Sequence, residues 1–174
     1  MAVFDAFFLD RDGTLNQKAP EGSYVTSPAE LYLLPGAGPA VAAVNASGAR
    51  VFVVTNQRGV ARGAMGASDV EAVDAELDRL LAGCGARVDA YYVCPHEVGT
   101  CDCRKPLPGL LLRALGEHPE VSPARSVMVG DAESDVEAGL AAGTRAVRLA
   151  PSGTPSRAEA CYPDLAAAVA ALLA

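Results

Sequence analysis

The sequence predicts an α/β fold: a doubly wound, mostly parallel sheet of the Rossmann-like type in a single domain. Short apolar runs rich in Val and Phe alternate along the chain with longer stretches rich in Ala and Leu, which is typical of parallel strands joined by crossover helices. The strand-like runs are apolar almost throughout, as expected for a sheet that helices cover on both faces. A chain of 174 residues can bury a sizeable core, so we take residues 1–174 as one domain.

Five apolar runs are predicted as strands. Each is short, contains β-branched or aromatic residues and is followed by a polar or turn-forming segment. In sheets of this kind, ligands bind at the carboxyl ends of the strands, so the residues that follow each run are the first place to look for a site. The predicted strands are residues 3–9, 50–55, 88–94, 126–130 and 145–149.

The segments between the strands are predicted as helices. In the clearest case Ser68 is the expected N-cap, with Glu71 three positions on as its capping-box partner. Val70, Val73 and Leu77 then mark one apolar face. The other predicted helices are residues 36–48, 109–117 and 134–142, and a helix rich in Ala and Leu closes the sequence.

The bulk charge and the apolar runs limit the class of partner. A formal net charge of −7 argues against a nucleic-acid-binding protein, which should present a basic face, but it does not exclude an anionic small molecule. The N-terminal stretch lacks the charged segment and long apolar run of a signal peptide, and no apolar run reaches the ~20 residues of a membrane span. We therefore expect a cytoplasmic monomer with reduced cysteines and no nucleic-acid or membrane partner.

Two pairs of carboxylates follow predicted strands. Asp10 and Asp12 come directly after the first strand, where alternation in an extended backbone points both side chains the same way, and Gly13 permits a sharp turn. Asp131 and Asp135 follow the fourth strand. Like carboxylates brought together need a cation, and oxygen ligands from several loops suit Mg²⁺. The alternative, that these aspartates form turns and cap helices, is strongest for Asp135.

A second cluster contains soft metal ligands. Cys94, His96, Cys101 and Cys103 form the pattern Cys-x-His-x₄-Cys-x-Cys. Four such ligands predict tetrahedral Zn²⁺, and a site with four protein ligands leaves no position for a catalytic water, so the zinc would be structural. A redox pair at Cys101 and Cys103, or a chance grouping, remains an alternative. Five cysteines is an odd count that fits poorly with a disulfide framework.

Four short motifs occur in a fixed order over residues 8–136. They are Asp-x-Asp-Gly-Thr after the first strand, Thr-Asn after the second, Lys-Pro before a helix, and Gly-Asp-x-x-x-Asp after the fourth strand. Each motif is weak alone, but the ordered set is specific and resembles the four motifs of the haloacid dehalogenase-like phosphatases.

The resemblance implies a role for each matching residue. Asp10 would be the nucleophile and Asp12 the general acid/base. Mg²⁺ would be held by Asp10, by the main-chain carbonyl of Asp12 and by Asp131. Thr55 and Lys105 would bind the transferring phosphoryl group, whose charge must be offset before a carboxylate can approach it.

The cysteine cluster and its surroundings resemble two subfamilies of these phosphatases that lack a large cap domain. One removes the 7-phosphate of D-glycero-D-manno-heptose 1,7-bisphosphate, in nucleotide-heptose biosynthesis, and the other acts on histidinol phosphate. Residues 24–37, 55–63 and 104–111 favour the heptose enzymes, with histidinol phosphate or another small sugar phosphate as the alternative substrate. Two features depart from the pattern: the short linker at residues 97–100, and Ala132 where many relatives carry Lys.

A sugar bisphosphate needs a second anion site, and guanidinium groups suit phosphate. Arg104 is favoured because zinc would fix its loop, whereas solvated surface charge is a close alternative for the other arginines. A zinc-dependent interaction or redox module on an inactive phosphatase fold is the alternative from another class, and the intact motif set argues against it. The predicted substrate-binding residues are Arg11, Asn16, Asn56, Gln57, Arg58 and Arg104, with Arg62 as a further candidate.

Overall fold

The computed structural model describes residues 3–174; the first two residues of the predicted domain lie outside this description. Six strands form one sheet in the order β3-β2-β1-β4-β5-β6, and every neighbouring pair is parallel. The strands are β1 (Ala6–Leu9), β2 (Arg50–Asn56), β3 (Ala90–Cys94), β4 (Ser126–Gly130), β5 (Arg145–Leu149) and β6 (Ala160–Tyr162). The helices are α1 (Ala37–Ala46), α2 (Ala67–Ala82), α3 (Gly109–Glu117), α4 (Glu133–Ala141) and α5 (Leu165–Leu173), with short 3₁₀ turns at Pro28–Glu30 and Pro123–Arg125.

The strand order reverses direction at β1. From β1 the chain adds β2 and β3 on one side, then returns to add β4, β5 and β6 on the other. Leu9 pairs with Val53 of β2 and with Val129 of β4, so β1 ends between the ends of its two neighbours. Such a reversal opens a crevice at the carboxyl ends of the strands. Asp10 and Asp131 both begin their loops there.

Apolar side chains fill a core on each face of the sheet. On one face, Phe7 and Leu9 pack in a buried cluster with residues of α1, α2 and α5. On the other, Phe8 and Phe52 pack with residues of α3 and α4. Successive residues of β1 thus point to opposite faces, which explains why the predicted strands contain so few polar positions.

The doubly wound parallel sheet and all five predicted strands are confirmed, with the first and third shorter than predicted. β6 was not predicted, because it has only three residues, all of them half-buried. The predicted cap of α2 is wrong: the helix begins at Ala67, and the main-chain N–H of Gly66 donates to the Asp69 side chain at 2.7 Å. No helix in the described part of the chain is both long enough and apolar enough to span a bilayer.

Candidate active site

A buried lysine lies between two carboxylates at the crevice. Lys105 precedes α3, and its Nζ donates to Asp10 Oδ1 at 2.8 Å and to the Val54 carbonyl at 2.7 Å. The same Nζ lies 2.6 Å from Asp135 Oδ1. Burial works against the ammonium charge, but Asp10 and Asp135 together raise the pKa of Lys105 above its ordinary value. The site therefore has a fixed cation against the carboxylate of Asp10.

The electrostatics of Asp10 are a balance of opposing effects. Burial and the neighbouring Asp135 raise the pKa of Asp10 to about 7, whereas Lys105 lowers it. A divalent cation would add a second positive charge beside this carboxylate and favour its ionised form. The charge of Asp10 therefore depends on the cations around it.

Three carboxylates at this point have the composition of a magnesium site. Oxygen atoms of Asp10, Asp131 and Asp135 all lie within 4.8 Å of one another. Asp131 Oδ1 is buried, and no described residue donates a hydrogen bond to it. Hard oxygen donors of this kind suit a divalent cation, and Asp131 has a buried oxygen free to bind one, so the residues present fit Mg²⁺.

Glycine at two positions makes this approach of the acids possible. A Cβ on Gly130 would lie 2.2 Å from Asp135 Oδ2, and one on Gly13 would lie 2.6 Å from Asp131 Oδ2. Gly13 also has a φ of 88°, which favours glycine. The Gly-Thr and Gly-Asp steps of the motifs therefore leave room for the carboxylates.

Lys18 is a site residue that the sequence analysis did not single out. Its Nζ forms an ion pair with Asp131, and it comes from the loop after β1. Burial lowers the pKa of Lys18, but the hydrogen bond and charge of Asp131 outweigh this effect and raise it. Its position in a turn-rich segment gave no sequence signal, because the contact joins residues 18 and 131 from separate loops.

Three polar side chains surround the carboxylate of Asp12. Asn16 Nδ2 donates to Asp12 Oδ1 at 3.0 Å and Gln57 Nε2 donates to Asp12 Oδ2 at 2.8 Å. Arg11 Nη2 lies 3.3 Å from Asp12 Oδ2. All three were predicted to bind substrate, yet each is buried and directed at Asp12. Gln57 also lines the cavity beside Asp12, whereas Arg11 and Asn16 are fully enclosed.

Arg11 joins the loop after β1 to helix α2. Its side chain is fully buried, and Nη1 donates to Asp74 Oδ1 of α2 at 2.9 Å. Both Nη atoms of the guanidinium are therefore engaged by carboxylates of the protein itself. Asp74 was not among the predicted site residues, although its spacing from Val70 and Leu77 puts it on the apolar face of α2.

Asn56 and Thr55 end strand β2 at the crevice. Asn56 Nδ2 donates to the Lys105 carbonyl and the Lys105 N–H donates to Asn56 Oδ1, both at 3.1 Å. Thr55 Oγ1 accepts from Gln57 Nε2 at 2.9 Å. Asn56 was predicted to bind substrate; it lines the cavity beside Asp10, and its side-chain bonds also fix the main chain that carries Lys105.

A chain of open cavities leads away from the carboxylates. A cavity of about 170 Å³ is lined by Asp10, Asp12, Lys105 and Asp131. A second, of about 220 Å³, shares Asp12 and Lys18 with it and continues past Tyr24. This space suits a small polar molecule with one end at Asp10.

The four soft ligands of the second cluster converge. Cys94 Sγ lies 3.6 Å from His96 Nδ1 and 3.6 Å from Cys101 Sγ, and Cys103 Sγ lies 3.3 Å from His96 Nδ1. Ligand atoms of a tetrahedral Zn²⁺ with ordinary bond lengths would be about 3.5–3.8 Å apart. The cluster therefore has a geometry compatible with zinc.

The arginines beside this cluster differ in placement. Arg58 Nη1 and Arg62 Nε share the carboxylate of Glu97, at 3.4 and 2.9 Å. Arg104 is partly buried, and its Nη1 lacks a hydrogen-bond partner among the described residues. Glu97 belongs to the short linker between His96 and Cys101, which thus joins the cysteine cluster to the loop after β2.

Comparison with known proteins agrees with the motif order. The profile of the HAD-hydrolase-like family matches residues 102–173. The chain is 44% identical, over 131 residues, to the D-glycero-alpha-D-manno-heptose-1,7-bisphosphate 7-phosphatase of Mycobacterium tuberculosis (strain CDC 1551 / Oshkosh), covering 75% of this chain and 68% of that protein. It is 42% identical to the D-glycero-beta-D-manno-heptose-1,7-bisphosphate 7-phosphatase of Rhodopseudomonas palustris, covering 83% and 82% of the two chains.

The fold is also similar to solved structures. The crystal structure of D,D-heptose 1,7-bisphosphate phosphatase from B. bronchiseptica, complexed with magnesium and phosphate, superposes with a TM-score of 0.85 at 35% identity. The match covers 97% of this chain and 98% of that one. Similarity therefore extends over nearly the whole chain and is not confined to the motifs.

Proposed function

This chain belongs to the haloacid dehalogenase-like phosphatases, the family of its heptose-bisphosphate relatives, and we propose that it removes the 7-phosphate of D-glycero-D-manno-heptose 1,7-bisphosphate. It is a phosphoric monoester hydrolase. The observation that carries the proposal is the pairing at the crevice: Asp10 lies against the buried cation of Lys105, while Asp12, two residues on, is held by three donors. One carboxylate is thus set up to attack and the other to exchange a proton.

In the first step, Asp10 attacks the phosphorus atom. An oxygen–phosphorus bond forms to the Asp10 carboxylate as the bond from phosphorus to the sugar oxygen breaks, which leaves an aspartyl-phosphate. Asp12 enters this step protonated and gives its proton to the departing oxygen, so the sugar leaves as an alcohol and Asp12 is left ionised. Lys105 offsets the repulsion between the anionic nucleophile and the anionic substrate.

In the second step, water hydrolyses the intermediate. Asp12, now ionised, accepts a proton from the water as its oxygen attacks phosphorus, and the bond to Asp10 breaks. Inorganic phosphate leaves and both aspartates return to their starting states. Asn16 and Gln57 keep the Asp12 carboxylate in one orientation through both steps, by the hydrogen bonds already described.

Mg²⁺ would be held by Asp10, by the main-chain carbonyl of Asp12 and by Asp131, whose buried Oδ1 has no described donor. When bound, it supplies charge stabilisation for the phosphoryl oxygens. Thr55 is proposed to donate a hydrogen bond to the same group. Asp135 is occupied by Lys105 and by the N–H of Ala132, which donates to its Oδ2 at 3.0 Å, so it serves to position the lysine.

Zinc is proposed as a second, structural metal bound by Cys94, His96, Cys101 and Cys103. With four protein ligands it has no open position for chemistry. It would fix the loop that delivers Lys105 and Arg104 to the crevice. Thiolate ligands also need a reducing compartment, which supports the proposed cytoplasmic location.

A kinetic panel tests the substrate. Both anomers of the heptose bisphosphate would be compared with histidinol phosphate and fructose 1,6-bisphosphate, in Mg²⁺, by release of inorganic phosphate. We expect the largest kcat/KM for one of the heptose anomers; a larger value for histidinol phosphate than for both anomers would overturn the substrate assignment. Asp10→Asn is the control for the chemistry, because turnover that survives it cannot use the aspartyl-phosphate.

A further inference from the structure

Asp74 is a carboxylate buried on the core side of helix α2. It is 8% exposed and lies between the core residues Val73 and Leu77. Burial raises the pKa of Asp74 despite the opposing charge of Arg11. An acid in such a place is costly unless it is paired, and an apolar residue would continue the buried face of the helix. Packing alone therefore does not explain why this position is an aspartate.

The partner of Asp74 is a residue of the DxD motif. Arg11 Nη1 donates to Asp74 Oδ1 at 2.9 Å, and Nη2 of the same guanidinium lies 3.3 Å from Asp12 Oδ2. One rigid, planar group thus joins a carboxylate of α2 to the carboxylate of Asp12. A guanidinium is cationic at any working pH, so both of its contacts with carboxylates are charge-assisted.

A purely structural role accounts poorly for this arrangement. Buried ion pairs contribute little to stability compared with apolar residues of the same volume. The pair does fix the orientation of the Arg11 guanidinium. Its two Nη atoms are fixed relative to one another, so the contact of one with Asp74 determines where the other contacts Asp12. Without Asp74, the guanidinium could rotate about its own stem.

We propose that Asp74 is a positioning residue for the phosphatase reaction: it orients Arg11, and Arg11 holds the carboxylate of Asp12 where it meets the leaving oxygen. The inference rests on the proposed function, in which Asp12 is the general acid. Asp74 itself touches neither substrate nor metal. Its effect should therefore depend on how much the leaving group needs a proton.

Two esters of similar shape separate this effect from a general loss of activity. The phenolate of phenyl phosphate is a poor leaving group that needs protonation. The p-nitrophenolate of p-nitrophenyl phosphate departs readily without a proton. The kcat/KM of each reports the steps up to release of the alcohol, before water enters. In Asp74→Ala we expect kcat/KM to fall about tenfold for phenyl phosphate and less than about twofold for p-nitrophenyl phosphate.

Asp78→Asn is the matched control. Asp78 lies one turn further along α2, is exposed and accepts a hydrogen bond from Tyr91 Oη at 2.8 Å. It should leave both rates unchanged. Asp74→Asn, which preserves the shape and one acceptor oxygen, serves if Asp74→Ala does not fold, and should show the same selective loss to a smaller degree. Asp74→Glu should restore part of the rate for phenyl phosphate.

The outcomes distinguish the inference from the proposed function. Equal losses for the two esters, or no loss for either, in the Asp74 variants would overturn the positioning role while leaving the phosphatase intact. A parent protein that releases phosphate neither from these esters nor from either heptose anomer in Mg²⁺ would instead overturn the proposed function, and with it the general acid that Asp74 is proposed to serve.

Discussion

The ammonium group of Lys105 lies 2.8 Å from the carboxylate of Asp10, although 95 positions of the chain separate the two residues. Both are buried, and Nζ also contacts Asp135. Lys105 is therefore the internal counter-charge of two acids. This relationship links the stability of the crevice to its proposed chemistry, because the cation that offsets the buried carboxylates is also the group proposed to bind the phosphate.

Lys105→Met should damage both properties. Removal of the ammonium group leaves Asp10 and Asp135 without their shared partner, and breaking a buried ion pair costs about 3–5 kcal/mol. We expect a fall of this order in the free energy of unfolding, measured in urea, and at least a ~100-fold fall in kcat/KM. Asp135→Asn, which retains the cation, should reduce activity far less. Unchanged activity in Lys105→Met would remove the lysine from the mechanism.

Asn56→Ala tests how that lysine is placed. Asn56 makes two hydrogen bonds to the main chain of Lys105, and we expect their loss to cost about 1–3 kcal/mol of stability and to lower kcat about tenfold. Asn45 provides a matched control, because it makes the same pair of bonds to the main chain of Arg87, at 3.2 and 2.9 Å. Asn45→Ala should be destabilised similarly but remain active. Equal activity in the two variants would contradict a positioning role for Asn56.

The sequence was informative where a signal is local. Each predicted strand is an apolar run, and Asp10 and Asp131 follow two of these runs directly, so the sheet and the carboxylates could be inferred together. Long-range contacts carry no such signal. The apolar periodicity of α2 does place Asp74 on the buried face, four residues after Val70 and three before Leu77. It does not show that the partner of Asp74 is Arg11, 63 positions earlier in the chain.

The difference between local and long-range signals also explains which features of the polar residues near Asp12 could be predicted. Asn16 and Gln57 were recognised as site residues because they lie beside the motifs. Their direction could not be predicted, since a side chain at a strand end can face the crevice or the residues beneath it. Both proved to donate to Asp12, so proximity was predicted and role was not.

Gly130→Ala should show that the crevice has no room for a methyl group at this point. The added Cβ would lie 2.2 Å from Asp135 Oδ2 and 2.4 Å from Asp135 Cβ, and such overpacking costs about 1–3 kcal/mol. Gly116→Ala is the control, because Gly116 is an exposed residue of α3 and an added Cβ meets nothing within 4 Å. Thermal unfolding should show a lower Tm for the first variant and a slightly higher one for the second. A Gly130→Ala protein as stable and active as its parent would contradict this packing.

Metal analysis tests the zinc proposal separately from magnesium. We expect about one zinc per chain in the purified protein, and its loss in Cys101→Ser together with a lower Tm and reduced kcat/KM. Cys84→Ser is the control, because Cys84 is exposed and lies outside the cluster. The structural role would be refuted by a Cys101→Ser protein that retains both metal and full activity.

The proposed role of Arg58 in substrate binding can be tested by comparing substrates that have one phosphate or two. It lies in the loop after β2 and pairs with Glu97 at 3.4 Å, with about a third of its side chain exposed, so it remains free to exchange this partner for a second phosphate. Arg58→Met should raise KM for a sugar bisphosphate about tenfold, through loss of a charge-assisted contact, without changing the kinetics of p-nitrophenyl phosphate, which has no second anion. Arg79→Met is the matched control, since Arg79 is exposed and pairs with Glu76 within α2. If KM rises equally for both substrates, Arg58 supports the loop instead of binding the distal phosphate.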